Sequence, residues 1–265
     1  PASTLDSYVT QTRRRVLDPL PEKYGVDTSD AAIRQAVKEH NEVCSIISEI
    51  GELRKEKNPV ITGYEFHVLN LVSFTCPKYL ILPYLRETLT ELKKRKPDPN
   101  PAFRARVAVV GSELAAPQLP QHIEGCGALV VSARYCFGST PGREVIELKD
   151  DEDALPQICM HIMQHSECAR YIADEKVQQR RETADRLARE YHADGSIYEQ
   201  MKYCDYWGFE RALVSHIMHE EYDWPVLSID RLYNNGNSGQ LRTRVQAFVE
   251  SLEIKKLHKQ NGGAN

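Results

Sequence analysis

Cys204 stands in the segment Glu199-Gln200-Met201-Lys202-Tyr203-Cys204-Asp205, between the short apolar run Ser196-Ile197-Tyr198 and a helix expected to start near Asp205. At a junction of this kind the first-turn backbone N–H groups and the positive end of the helix favour a thiolate over a thiol. A thiolate is the form that ligates iron in an iron–sulfur cluster. The same residue could equally be a small buried hydrophobe, as free cysteines often are. Cys204 has no C-x-x-C neighbour, so any further ligands come from elsewhere in space.

Other residues invite the same question. Cys136, in Tyr135-Cys136-Phe137-Gly138, follows a second apolar run and is expected near the same crevice. Cys168 follows His165-Ser166-Glu167 at a helix end, whereas Cys44, Cys126 and Cys159 have core-like neighbours and Cys76 precedes Pro77. His161 and His165 are spaced i, i+4 without the glutamate of a zinc-protease helix, so they read as one helix face. Tyr233-Asn234-Asn235-Gly236-Asn237-Ser238-Gly239 tolerates positive φ and runs into a helix carrying Arg242 and Arg244. Exposed amides with those two guanidinium groups could hold a phosphate or carboxylate of a cofactor, or could simply form a turn with two surface arginines. His67 has the carboxylate of Glu65 two residues away, a pair able to handle protons, though a core or surface histidine has the same appearance.

The bulk properties narrow the setting. The chain has 265 residues, 41% hydrophobic and 27% charged, which is ordinary globular composition. A formal net charge of −4 does not suggest nucleic acid as a partner. The basic run Lys93-Lys94-Arg95-Lys96 reads as a solvated helix end entering a Pro-rich linker. No apolar run approaches the roughly 20 residues of a membrane helix, and no signal peptide is visible, so a soluble, cytoplasmic protein without a membrane partner is expected. Seven cysteines, an odd number in a long chain without a secretion signal, argue against a disulfide framework. Gly111-Ser112-Glu113-Leu114 has one glycine rather than a dinucleotide-binding triad, and there is no P-loop lysine, so any ATP-driven step belongs to a partner.

The elements that must position these residues fall into two parts. Residues 1–100 read as helical. After the cap residues Asp27-Thr28-Ser29-Asp30, an apolar stripe from Ile33 to Ile50 marks a long helix, and Glu65 to Phe74 and Tyr84 to Leu92 follow, with Pro83 in the first turn of the last. Residues 101–265 read as an α/β, Rossmann-like domain. Short apolar runs at Arg106–Val110, Ala128–Val131, Ser196–Tyr198 and Pro225–Ile229 alternate with helical stretches at Ala154–Ile172, Val177–Tyr191 and from about Gln240. That alternation predicts a doubly wound, mainly parallel four-stranded sheet behind a helical N-terminal segment. In such sheets chemistry collects at the carboxyl ends of the strands.

From about Leu17 to Lys256 the chain resembles the catalytic subunits of the benzoyl-CoA reductase / 2-hydroxyacyl-CoA dehydratase family. The resemblance rests on several stretches in order: Glu22-Lys23-Tyr24-Gly25-Val26, Glu39-His40-Asn41, Arg106 to Ser112, Ile123 to Ala128 and Ala193 to Ile197. The most specific are Lys202-Tyr203-Cys204-Asp205 and Gly239 to Glu250. It implies a subunit that pairs with a sister subunit, binds a [4Fe–4S] cluster through cysteine thiolates and acts on an acyl-CoA. A separate ATP-hydrolysing iron–sulfur activator would deliver single low-potential electrons. In the family, cluster ligands come from an N-terminal α/β domain and from the cysteine matching Cys204. This chain lacks that domain and begins at Pro1, so it reads as the C-terminal part of such a subunit, with a cluster shared with missing sequence. The run Asp205-Tyr206-Trp207-Gly208-Phe209-Glu210, with the ending Leu241 to Lys256, resembles the reductase branch more than the dehydratase branch, so the resemblance implies reduction of an aromatic acyl-CoA, with dehydration of a 2-hydroxyacyl-CoA as the alternative. A non-catalytic docking module with an incomplete cluster site is the expectation of another class.

Overall fold

A computed structural model describes residues 2–112, 114–115, 117–135, 145–220, 222–232 and 239–262. Helices α1 (Ala2–Thr12), α2 (Pro19–Tyr24), α3 (Asp30–Glu52), α4 (Gly63–Thr75) and α5 (Lys78–Lys94) precede the first strand. Ser29 caps α3 by accepting the Ala32 N–H at 3.3 Å, as the cluster of cap residues predicts. The stripe on α3 buries Val43, Ile46, Ile47 and Ile50 against Phe66 of α4 and Ile81, Leu82, Leu85 and Leu92 of α5. Pro83 lies inside α5 and not in its first turn, because Ile81 and Leu82 extend the helix backward to Lys78. Tertiary burial there outweighs the local cost of an interior proline.

The second part alternates: β1 (Ala105–Gly111), α6 (Gln118–Glu124), β2 (Ala128–Tyr135), α7 (Ala154–His165), α8 (Asp174–Glu190), β3 (Gly195–Met201), α9 (Asp205–Glu220), β4 (Val226–Arg231) and α10 (Gly239–Gly262). The four strands form one parallel sheet in the order β2-β1-β3-β4. One face packs on α6 and α10 through Val107, Val109, Ile197 and Ile229 against Leu119, Ile123, Val245 and Val249. The opposite face packs on α8 and α9 through Val110 and Tyr198 against Ala184, Trp207 and Val214. This is the expected α/β architecture, covered on both faces. No helix among the described residues is long and apolar enough to cross a membrane.

Two strands run further than their apolar cores suggest. β2 continues through Ser132-Ala133-Arg134-Tyr135 and β3 through Glu199-Gln200-Met201. Arg134 and Glu199 are both fully buried, because each is ion-paired in the interior, with Glu167 and Arg231 respectively. α7 stops at His165 instead of reaching Ile172. The Arg180 guanidinium bonds the main-chain carbonyls of Cys168 and Tyr171, at 3.4 and 2.7 Å, so that segment follows a side chain and not a helical ladder.

β1 pairs with β2 on one side and β3 on the other. The chain leaves β1 toward β2 and later returns to its other flank at β3. The crevice outside the carboxyl ends of β1 and β3 is therefore the topological switch point, the usual ligand position in an open α/β sheet.

Candidate functional site at the carboxyl edge of the sheet

Cys204 lies three residues past the end of β3, one of the two strands that flank that crevice. It immediately precedes the 16-residue helix α9, and its carbonyl accepts the first helical bond from Gly208 N–H at 2.9 Å. Its own N–H returns to the Met201 carbonyl at 3.0 Å, closing a tight turn at the end of β3. Tyr203 takes a left-handed φ of 74° within that turn and is 90% exposed. A tyrosine in this conformation is strained by about 1–2 kcal/mol. The turn thus spends conformational energy to set Cys204 at the helix N-terminus. The Cys204 side chain is half-buried and rests against the apolar cluster of Tyr198, Trp207 and Val214.

Beneath the turn lies a buried polar latch. Ser112, just past β1, donates its hydroxyl to the Glu199 carboxylate at 3.1 and 3.3 Å and accepts the Met201 N–H at 2.5 Å. Arg231, at the end of β4, donates Nε to the same carboxylate at 3.0 Å, and its carbonyl accepts the Lys202 N–H at 2.8 Å. Burial pushes the Glu199 carboxyl above its usual range, with Arg231 and Ser112 pulling the other way. Glu199 was not singled out from sequence as a site residue. Its signal would have been a carboxylate directly continuing an apolar strand into the ligand edge.

A chamber of about 400 Å³ opens at the end of β2. Arg134, Tyr135, Trp207, His40, His165 and Cys168 are among the residues that line it. Arg134 is held by Glu167, Nε to Oε2 at 2.7 Å, and its guanidinium carbon lies 5.6 Å from the Trp207 ring centre. Burial raises the Tyr135 hydroxyl far above its ordinary range. Trp207 belongs both to this wall and to the apolar cluster against which Cys204 packs, so the chamber adjoins the Cys204 turn. Cys168 was expected at a helix end; it sits instead in the loop beyond α7, on the chamber wall.

The residues expected to do chemistry are not all brought together. His67 is buried and stands edge-on to Tyr135, with ring centres 5.6 Å apart, behind the chamber wall. Glu65 closes a capping box: its carboxylate accepts the Thr62 N–H at 2.8 Å and also pairs with Arg95 at 3.3 Å. Arg244 lines a second, smaller cleft with Lys202, Asp230, Arg231 and Gln240. Arg242 is exposed and outside that lining, and its carbonyl lies 3.9 Å from the Cys126 thiol. Cys136 and the loop at 233–238 lie outside the described residues. His161 and His165 share a helix face, with ring centres 4.3 Å apart. Cys44, Cys126 and Cys159 are buried free thiols, as their neighbours suggested.

A [4Fe–4S] cluster is held by four donors, ordinarily cysteine thiolates. Cys204 has the position and the helix-end environment of one thiolate ligand. Among the described residues, no three or more His, Cys, Asp or Glu side chains converge to hold a metal ion. Among the described residues, Cys204 is thus a candidate for a single donor, and no complete donor set for a cluster is present.

The model of the family described as 2-hydroxyglutaryl-CoA dehydratase, D-component, matches residues 2–252. YjiM of Escherichia coli (strain K12), provisionally described as a dehydratase subunit, is 24% identical over 247 residues, which cover 90% of this chain and 62% of that protein. The chain thus spans under two thirds of that relative's length. The family and this relative are both described as dehydratase components. With the match running from the first helix into α10, the chain belongs to the 2-hydroxyglutaryl-CoA dehydratase D-component family.

Proposed function

We propose that this chain is part of a 2-hydroxyacyl-CoA dehydratase subunit and contributes one thiolate, from Cys204, to a [4Fe–4S] cluster whose other ligands lie outside the described residues. The observation that carries this reading is the position of Cys204: just past a strand that flanks the switch point of a parallel sheet, at the N-terminus of a long helix. Family membership supports the substrate class, a 2-hydroxyacyl-CoA. When bound, the cluster supplies single-electron chemistry to the thioester, with the electron delivered by an ATP-hydrolysing activator and the site completed by a sister subunit. The chain's own residues do the rest. The Ser112–Glu199–Arg231 latch fixes the cysteine-bearing turn. Tyr135, Trp207 and Ile162 give the adjoining chamber an apolar part of its wall. His67 is our candidate for moving protons; it stands edge-on to the Tyr135 ring behind the chamber wall. Glu65, its expected partner, is committed to its helix cap and to Arg95.

The test is iron content and activity of the protein purified without oxygen, with and without Cys204→Ser. Parallel loss of both is expected, and full iron in the variant would refute the ligand assignment. Absence of iron in the wild type, together with tight association with another subunit, would instead favour a docking module. A second reading, reduction of an aromatic acyl-CoA, is favoured by the resemblance of Asp205 to Glu210 to the reductase branch. Offering benzoyl-CoA and 2-hydroxyacyl-CoA under reducing conditions decides between the two, and dehydration of the hydroxyacyl thioester alone is expected.

A further inference from the structure

We propose that the cleft between the ends of β3 and β4 and the start of α10 seats the phosphate groups of the CoA substrate, with Lys202 and Arg244 as the cations that hold them. The proposal rests on the acyl-CoA reading above and adds where, and which way round, that substrate lies. The cleft has a volume of about 170 Å³. Its cations come from three different elements, so the fold and not a local run of sequence brings them together. Arg231 is almost fully buried and balanced by Glu199 at 3.0 Å. Lys202 faces Asp230 at a loose 3.5 Å, with both side chains about half exposed. Arg244 makes its bond to a neutral group, the main-chain carbonyl of Ser228. Among the described residues of this polar cleft one positive charge is therefore left over, beside Gln240 in the first turn of a 24-residue helix. Guanidinium forks and a helix N-terminus together suit phosphate oxygens.

The sheet supplies the second argument. The cleft lies at β4 and the 400 Å³ chamber at β2, the two outer strands. Three strand spacings separate them, about 14 Å. The pantetheine arm between the phosphates and the thioester is a chain of about a dozen bonds, reaching on the order of 15 Å when extended. A CoA thioester anchored at Lys202 and Arg244 would therefore cross the β1–β3 crevice, pass the Cys204 turn and deliver its acyl group toward Trp207 and Tyr135.

Binding to the intact protein by titration calorimetry tests this without reference to iron or turnover. CoA, dephospho-CoA, pantetheine and inorganic pyrophosphate are the probes. CoA should bind, more weakly as salt rises. Arg244→Gln and Lys202→Gln should each weaken it by about tenfold, with pantetheine unaffected. If the variants still weaken dephospho-CoA, the cleft holds the pyrophosphate; if they do not, it holds the 3′-phosphate. The first pattern supports the proposal; the second overturns it, because the pantetheine arm starts at the pyrophosphate. Wild-type CoA affinity in both variants would overturn it, as would a cleft that takes pyrophosphate while the protein ignores CoA. Because the readout needs no cluster, protein that lacks iron yet binds CoA through Arg244 would sink the dehydratase reading and leave the phosphate site standing.

Discussion

The hydroxyl of Ser112 bridges two strands: it donates to the Glu199 carboxylate at 3.1 Å and accepts the Met201 N–H at 2.5 Å. It thereby ties the end of β1 to the last residue before the Lys202–Cys204 turn. Ser112→Ala leaves a buried carboxylate with one donor fewer and a backbone N–H without its side-chain acceptor. The expected cost is about 2–3 kcal/mol, since an unpaired buried group bears its full desolvation penalty. Urea denaturation should show a lower midpoint at an unchanged slope. A shift under about 0.5 kcal/mol would mean that the latch does not hold the turn.

Glu199 makes stability fall as pH rises. Burial raises its folded-state ionisation above that of the unfolded chain, even with Arg231 alongside. A carboxyl raised in this way contributes stability that is complete below the ordinary glutamate range and is lost as pH rises through the folded value. Glu199→Gln abolishes that titration. The stability of the wild type relative to the variant should therefore fall as pH is raised from about 4 toward neutrality. A relative stability that instead rises with pH would mean that Arg231 more than compensates for burial.

The apolar cores of the four strands and the N-cap of α3 were legible in the sequence because their causes are local: short apolar runs between turn residues, and a side-chain oxygen before an apolar stripe. The ends of β2 and β3 were not. Arg134 and Glu199 look like loop residues in one dimension, and only their partners Glu167 and Arg231, both 32 or more residues away, make a buried strand position tolerable. The site divided along the same line. Cys204 was visible as a residue between strand and helix. The cleft around Arg244 was half visible, since Lys202 and Arg231 reach it by folding. His67 and Glu65 were paired by proximity in sequence, while the structure turns one toward Tyr135 and gives the other to Thr62 and Arg95.

The strained residue before Cys204 gives a sharper test of the turn. Tyr203 has a φ of 74° and an almost fully exposed ring, so its side chain contributes little packing to offset the strain. Asparagine tolerates this conformation better. Tyr203→Asn should raise stability by about 0.5–1 kcal/mol. If the exposed ring is a contact for the sister subunit proposed above, association with that subunit should weaken in the same variant. Lower stability in Tyr203→Asn would show that the ring packs in the folded chain.

Gly111 ends β1 opposite Glu199 in the parallel register. A Cβ there would lie 2.2 Å from the Glu199 carbonyl oxygen and 2.6 Å from its Cγ. The nearer atom is backbone in a central strand, so it cannot swing aside as a flexible side chain would. Gly111→Ala must push β1 and β3 apart at the switch point or tilt the Glu199 side chain out of its bonds to Ser112 and Arg231. Either response loses packing and buried hydrogen bonds together, and the expected cost is about 3 kcal/mol, at the upper end for overpacking. Because the strain falls under the Cys204 turn, iron retention should decline in the folded fraction as well as thermal stability. The comparison with Gly125→Ala, where the nearest atom to a new Cβ is 3.3 Å away, separates this effect from the general consequence of replacing a glycine. Equal tolerance at both positions would mean that β1 and β3 do not approach as closely as the latch requires.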